Sequence, residues 1–304
     1  MAITRGRLNI NGVWTNATKN SAGKWVCSPT APDTTSKNLS GGYYPVTVEI
    51  TNDAGTVATY NAGSADIGTS LRLIVRELIK PVISLVSPTD GTLTINNKLP
   101  ITFKVTDETK GSGVDAASVV LTLDGEAYKQ GSAGMAVKEI TNGYQFTYTP
   151  PAALGDGSHA IKITASDRDD NAAAAVSAAY TVDTTKPQLT VSSPAAGLIT
   201  NNAALTLKGV TNDAGSSPVT VTATLNGASV GVVTVGSDGA FSKALTLKEG
   251  SNTIVVMSRD AAGNTTTITR TVKLDTSVPK LSGVTISPNP ANASASVQIV
   301  MDIS

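Results

Sequence analysis

Asp183-Thr184-Thr185-Lys186-Pro187-Gln188-Leu189, running on through Thr190 to Asn202 (TVSSPAAGLITNN), is a stretch that this chain repeats. Asp275-Thr276-Ser277-Val278-Pro279-Lys280-Leu281 repeats its first half, and Pro81-Val82-Ile83-Ser84-Leu85-Val86-Ser87-Pro88 repeats its middle. Gly91 to Asn97 (GTLTINN) parallels Gly197 to Asn202 (GLITNN). A motif that returns about every ninety to a hundred residues marks the junctions of a tandem array. On these junctions the 304 residues divide into units at 1–78, 79–182 and 183–274, with a shorter segment at 275–304.

Between the junctions the chain reads as short strands and tight turns. Thr, Ser, Ala, Val and Gly dominate, aromatics are 4% and charges 15%, a balance that favours β-structure over helices. In 1–78 the alternating stretches are Lys24 to Cys27, Tyr44 to Ile50 and Leu71 to Val75, separated by turn signals such as Asn52-Asp53-Ala54-Gly55. In 79–182 they are Val82 to Val86, Ile101 to Val105, Ser118 to Leu123, Tyr144 to Tyr148, His159 to Ala165 and Ala178 to Val182, with hairpin turns at Asp124-Gly125 and Asn142-Gly143. In 183–274 they are Ala204 to Val210, Val219 to Leu225, Ser229 to Val235, Ala240 to Leu247, Asn252 to Met257 and Thr266 to Leu274. Six or seven strands make one sandwich, so the expectation is all-β, with three sandwiches and part of a fourth. The segment 275–304 offers only Val284 to Ser287 and Val297 to Met301. Two strands alone leave an apolar face uncovered, so another chain or further residues are expected to complete them.

Gly113-Val114-Asp115 with Ser118-Val119, Asp124-Gly125, Tyr148-Thr149-Pro150, Asp156-Gly157-Ser158-His159 and Ala165-Ser166-Asp167 resembles the bacterial immunoglobulin-like repeats of surface adhesins and modular enzymes. Asp183 to Pro187 with Asp260-Ala261-Ala262-Gly263-Asn264 resembles them again, and Gly41 to Val48 with Asn52 to Gly55 does so more loosely. The resemblance implies tandem immunoglobulin-like β-sandwiches. It implies no single function, because such domains serve as spacers, stalks, adhesins, phage decorations and accessory modules.

Candidate chemistry is sparse. His159 is the single histidine and Cys27 the single cysteine, so no Ser-His-Asp or Cys-His triad, two-histidine zinc site or intrachain disulfide follows from the sequence. Cys27 alternates with Trp25 and is expected in the core, and His159 is expected to pack or close a turn. The expected protein is not an enzyme and has no obligatory cofactor. The run Asp167-Arg168-Asp169-Asp170-Asn171, with Asp183 at the next junction, resembles loops at which some related arrays bind calcium; this implies Asp167, Asp169 and Asp183 as ligands. Asx residues also favour such turns without any ion. For a glycan partner the candidate stacking residues are Tyr43, Tyr44 and Tyr128, with Trp14 and Tyr60 as further aromatics outside the expected cores.

Lys plus Arg equals Asp plus Glu at 23 each, so no overall field draws in nucleic acid or an anionic membrane. The opening Met1-Ala2-Ile3-Thr4-Arg5-Gly6-Arg7-Leu8 shows neither an apolar h-region nor a small-residue cleavage site. Arrays of this kind normally work outside the cell. A bacteriophage virion component, folded in the cytoplasm and released by lysis, would meet both conditions. The expected localisation is therefore the virion, with other virion subunits and copies of itself in a symmetric homo-oligomer as partners, and a host surface glycan as the target. The alternatives are a bacterial cell-surface adhesin and a carbohydrate-binding accessory module of a secreted protein; a hydrolase lacks any assembled site.

Overall fold

The computed structural model describes residues 1–303; Ser304, the last residue of the expected partial domain, lies outside the described residues. Apart from two single-turn 3-10 segments, Ser36–Asn38 and Gly68–Ser70, the regular structure of the described residues is all strand. None of their helices is long and apolar enough to cross a membrane. The chain divides into two compact units, Met1–Val182 and a second beginning at Asp183.

The first domain of the first unit holds β1 (Ile3–Ile10), β2 (Val13–Asn16), β3 (Thr18–Lys19), β4 (Trp25–Val26), β5 (Tyr44–Asn52), β6 (Val57–Tyr60) and β7 (Arg72–Leu73). Asn11 and Gly12 close the β1–β2 hairpin with φ of 50° and 83°, the left-handed pair a two-residue turn of type I′ requires. The main sheet runs β2-β1-β5-β6, β7 adds to β5, and β3–β4 form a separate ribbon. Its core is small: Ile10, Tyr44 and Val46 are buried, with Leu8, Val48, Leu71, Leu73 and Val75 packed partly against them. Trp25 and Cys27 are not in it. Trp25 is 37% exposed and lies over Gly6, 3.8 Å from where a side chain there would begin, while Cys27 is half-buried with Sγ 3.3 Å from the Thr15 carbonyl. The ribbon stands outside the main sheet, so alternation along it selects no buried face.

The second domain holds β8 (Val82–Ser87), β9 (Thr92–Thr94), β10 (Ile101–Thr106), β11 (Val120–Leu123), β12 (Glu126–Tyr128), β13 (Met135–Ile140), β14 (Gly143–Tyr148), β15 (Gly157–Thr164) and β16 (Val176–Val182). Sheets β13-β14-β10-β8 and β12-β11-β15-β16-β9 face each other. Alternation decides what lies between them: Ile101, Phe103 and Val105 point in from β10, Phe146 and Tyr148 from β14, and Ile161 and Ile163 from β15. The Phe103 and Phe146 rings stack with centroids 5.1 Å apart.

In the second unit come β17 (Gln188–Ser193), β18 (Leu198–Thr200), β19 (Ala204–Asn212), β20 (Thr220–Leu225), β21 (Ala228–Ser229), β22 (Ala240–Thr246), β23 (Gly250–Arg259) and β24 (Thr265–Leu274). Sheets β17-β19-β22 and β18-β24-β23-β20-β21 repeat the preceding plan, down to the short parallel pairing of β18 with β24 that copies β9 with β16. The strand expected from Ser229 to Val235 is reduced to Ala228–Ser229 plus isolated bridges at Val233 and Val235. Gly231, at φ 79°, turns the backbone out of the ladder there. Beyond Asp275, β25 (Leu281–Ser287) and β26 (Gln298–Ile303) form, among the described residues, a two-stranded sheet, and Leu281, Val284, Ile286, Ile299, Met301 and Ile303 stay exposed.

The boundary expected near residue 78 lies inside the first unit, and side chains bond across it. Thr35 Oγ1 donates to Asp169 Oδ2 at 2.6 Å, and Asn38 Nδ2 donates to the Gly111 carbonyl at 2.7 Å.

Candidate metal centres

The turn after β15 and the turn after β23 are built alike. Asp167 Oδ1 accepts from the Asp169 and Asn171 N–H groups at 2.8 and 2.9 Å, and its Oδ2 accepts from Asn171 Nδ2 at 2.7 Å. Asp260 Oδ1 accepts from the Gly263 and Asn264 N–H groups at 2.6 and 2.8 Å, and its Oδ2 accepts from Asn264 Nδ2 at 2.9 Å. Each asparagine amide also reaches back to the junction that precedes the first strand of its repeat. Asn171 Nδ2 donates to the Glu77 carbonyl at 3.1 Å, and Asn264 Nδ2 donates to the Asp183 carbonyl at 2.9 Å.

A third carboxylate joins each pair from the loop after β10 or β19. The result is two acidic groups, Glu77–Asp107–Asp167 and Asp183–Asp213–Asp260, in each of which one oxygen per residue lies within 4.8 Å of the others. The same thirty-residue step separates Glu77 from Asp107 and Asp183 from Asp213. Hard oxygen donors at this spacing fit a hard divalent cation.

The two groups differ in how their oxygens are engaged. Glu77 Oε1 accepts from Ser112 Oγ at 3.2 Å and its Oε2 from the Ile79 N–H at 2.6 Å, and Asp107 Oδ2 accepts from the Gly113 N–H at 2.7 Å. Burial first, then the hydrogen bond to Asp167, holds the Glu77 carboxyl above the usual carboxylate range. Glu108, beside the group, is pushed up to about 7 by burial and then by its hydrogen bond to Asp107. In the second group Asp183 Oδ1 accepts from the Thr185 N–H at 3.0 Å, and Asp213 Oδ1 from the Gly215 and Ser216 N–H groups at 2.7 and 3.1 Å. Asp183 Oδ2, Asp213 Oδ2 and Ser216 Oγ are buried and accept or donate no hydrogen bond, and the same holds for Asp107 Oδ1 and Glu108 Oε2 at the first group.

Of the three ligands expected from sequence, Asp167 and Asp183 stand in these groups, one in each. Asp169 does not: its Oδ2 is taken by Thr35 Oγ1 and by the Glu77 N–H at 3.2 Å, so it ties residue 35 to the turn. Glu77, Asp107 and Asp213 were not expected. The signal for them was the shared Asp-Thr-Thr/Arg-Glu-Leu junction position and the Val-Thr-Asp and Thr-Asn-Asp ends of equivalent strands, visible only when the repeats are superposed.

The tyrosines do not form a stacking platform. Tyr44 is buried, with its hydroxyl bonded to the Thr34 side chain and carbonyl, because the sheet turns it inward beside Val46. Tyr128 lies on the Tyr148 ring, centroids 4.3 Å apart, as part of the second core. Tyr43 is covered by the Arg72 guanidinium at 4.7 Å. His159 is buried, Nδ1 at 2.7 Å from Asp124 Oδ2 and Nε2 at 2.9 Å from the Gly155 carbonyl. Both partners are acceptors, so only the imidazolium donates to both. Burial alone would lower its pKa; the Asp124 and Gly155 hydrogen bonds outweigh that and leave it raised above 6.5.

Residues 81–163 match the family model described as "Bacterial Ig domain", and residues 187–276 match "Glucodextranase, domain B". Bacillopeptidase F of Bacillus subtilis (strain 168) is 32% identical over 138 residues, which are 45% of this chain and only 9% of that protein. Among solved structures, the fibronectin(III)-like modules of Clostridium thermocellum CbhA are 15% identical at a TM-score of 0.38, covering 64% of this chain and 94% of theirs. A tetra-tandem repeat from the extending region of a large adhesion protein is 21% identical at a TM-score of 0.32, covering 99% of this chain and 79% of that one. With two facing sheets around each of two successive cores, and one of those repeats matched as a bacterial Ig domain, this chain is a tandem array of immunoglobulin-like β-sandwiches.

Proposed function

We propose that the chain is a non-enzymatic structural and adhesive protein of a bacteriophage virion, in its tail, its baseplate or on its capsid, projecting Ig-like sandwiches toward a host surface. The observation that carries this reading is that the imidazole and most of the aromatic rings are taken up in packing, Trp14 and Trp25 being the exposed exceptions. Phe103, Phe146, Tyr148, Tyr180 and Phe241 fill cores, and His159 is held between Asp124 and Gly155, with no nucleophile in its hydrogen bonds. Such a molecule offers surfaces and spacing. The sandwiches close on apolar cores with Cys27 as the single cysteine, which suits folding in a reducing cytoplasm and release by lysis. The β25–β26 pair carries exposed apolar side chains and open strand edges of the kind that neighbouring virion subunits cover. Many copies in a symmetric assembly would multiply individually weak contacts with a host glycan.

Mass spectrometry of purified phage particles tests the reading. The protein is expected beside tail or capsid subunits in a fixed ratio to them. Its recovery solely from bacterial cell walls, as part of an anchored precursor, would overturn it in favour of a surface adhesin. A second reading, an accessory module of a secreted enzyme, is favoured by the matches to a glucodextranase domain and to Bacillopeptidase F. Retention on a polysaccharide affinity gel, together with the protein's absence from particles, would establish that one instead.

A further inference from the structure

Asn-Gly occurs three times, at Asn11-Gly12, Asn142-Gly143 and Asn226-Gly227, and each time at a hairpin turn. The pair carries a reaction of its own. The backbone nitrogen that follows an asparagine attacks that asparagine's Cγ, an intramolecular step whose nucleophile is already in place, and glycine leaves the nitrogen unscreened because it has no Cβ. All three asparagines are exposed and lie in the left-handed region, at φ of 50°, 58° and 52°, so exposure and backbone conformation do not separate them. What differs is how each amide, and the glycine after it, is held.

At Asn226 the amide is tethered at both ends: Nδ2 donates to Asn252 Oδ1 at 3.0 Å, and Oδ1 accepts from the Thr253 N–H at 2.8 Å. Rotating Cγ toward the Gly227 nitrogen breaks both bonds. At Asn142, Nδ2 donates to Thr109 Oγ1 at 3.1 Å. Gly143 is fixed inside the sheet as well, paired with Ile140 on one side and Thr106 on the other, and so close to β10 that a Cβ on it would run into the Val105 carbonyl. Its nitrogen has no room to swing. Asn11 has neither restraint. Its amide has no hydrogen-bond partner among the described residues, and nothing lies within 4 Å of where a Cβ on Gly12 would stand. The bond to be given up is that of the Gly12 N–H to Asn9 Oδ1, 3.1 Å long and exposed. The hairpin it closes ends in β2, an edge strand of its sheet, where local opening is easiest.

We propose that Asn11 is a site of spontaneous deamidation in the folded protein. The Gly12 nitrogen forms a bond to Asn11 Cγ, the Cγ–Nδ2 bond breaks, and the amide leaves as ammonia with the proton that the Gly12 nitrogen gives up. Water then opens the cyclic imide. Addition at Cγ restores the main chain and leaves aspartate, whereas addition at the Asn11 carbonyl carbon leaves isoaspartate, with the main chain running through Cβ and Cγ. The isoaspartate form puts an extra atom into a two-residue turn whose length and twist match the strands it joins, so the Ile10–Val13 pairing beside it loosens. Ile10 belongs to the small core of this domain, so the change reaches past the turn.

Incubation of the full chain in mildly alkaline buffer tests this, followed by peptide mapping with mass spectrometry and by labelling with an isoaspartyl methyltransferase. The peptide holding Asn11 should gain the mass of an amide-to-acid exchange and become a methyl acceptor. Its conversion should run about tenfold faster than that of Asn226, the order that two ordinary hydrogen bonds impose on the rotation. In chemical denaturant the three sites should convert at similar rates, because the fold alone distinguishes them. Asn11→Gln should remove the product, with circular dichroism confirming that the variant is folded, and hydrogen-exchange protection of β1 and β2 should fall in the unsubstituted chain as isoaspartate accumulates. No conversion at Asn11 in the folded chain, or conversion at Asn142 or Asn226 as fast as at Asn11, would overturn the proposal. The same order of rates in denaturant would overturn the part assigned to the tethers.

Discussion

The two domains of the first unit are held together by different means. Residues 79–182 close two sheets over fifteen buried apolar residues, among them Phe103, Phe146, Tyr148 and Tyr180. The domain before it buries three, Ile10, Tyr44 and Val46, under a sheet with no second sheet of comparable size opposite it. What it lacks in apolar contact it replaces with hydrogen bonds to its neighbour: Thr35 to Asp169, and Asn38 to the Gly111 carbonyl. A rich core makes a domain self-sufficient, whereas a poor one makes its stability depend on the adjoining domain.

The largest effect should fall on the rich core. Phe146→Ala removes a fully buried ring stacked on Phe103 and is expected to lower the stability of residues 79–182 by ~3–5 kcal/mol, read as loss of hydrogen-exchange protection across β10 and β14. Val46→Ala in the poor core should cost only ~1–2 kcal/mol, at about 0.8 per buried carbon. Equal losses from the two would break the comparison.

Next in size, Asp169→Ala leaves the Thr35 hydroxyl and the Glu77 N–H without their acceptor, a cost of roughly 1–3 kcal/mol. Protection should fall around residues 34–37 and 75–77 while the core of 79–182 stays protected. Uniform loss across both domains would show that the first domain does not lean on this contact.

A pH dependence follows from His159. Its pKa is raised in the folded state, so the stabilisation is complete below the unfolded value near 6.5 and is lost as pH rises through the folded value. Melting of the second domain should decline in the unsubstituted chain as pH rises from below 6.5 through the raised folded value, and His159→Gln should flatten that part of the profile. A profile that rises over this range would show that the imidazole is buried neutral.

The smallest effect belongs to the surface of the poor domain. Arg7 bonds Glu49 at 2.6 Å and lies over the Trp14 ring at 4.1 Å, with its side chain a third exposed. Arg7→Gln should cost ~0.5–1 kcal/mol and less at high salt, measured by chemical denaturation. A larger, salt-insensitive loss would mean that this sheet relies on the pair more than on Ile10 and Val46.

The sequence by itself determined the architecture of the two repeats, because their strands are long enough for period-two alternation to fix which face is buried, as in Ile101-Phe103-Val105. Repetition of the Asp-Thr-Thr-Lys-Pro junction located where a unit begins. It is less informative in the first domain, where the alternating stretches from Lys24, Tyr44 and Leu71 leave out β1 and β2 although Asn11-Gly12 between two alternating runs is a strong hairpin signal, and where Trp25 stands outside the core. Short ribbons such as β3–β4 have the alternation of a buried strand without the opposing layer that gives it meaning. Tyr44 and Tyr128 could not be told from exposed rings for the same reason. Only the tertiary structure decided the acidic groups, since Asp183, Asp213 and Asp260 come from segments tens of residues apart and meet because β17, β19 and β23 bring their ends together. It also decided that Asp169 binds Thr35 and that Glu77 engages Ser112. The physical reason is that local pattern records which way a side chain faces along its own strand, while a site depends on which oxygens end up sharing a small buried space and which donors remain to satisfy them.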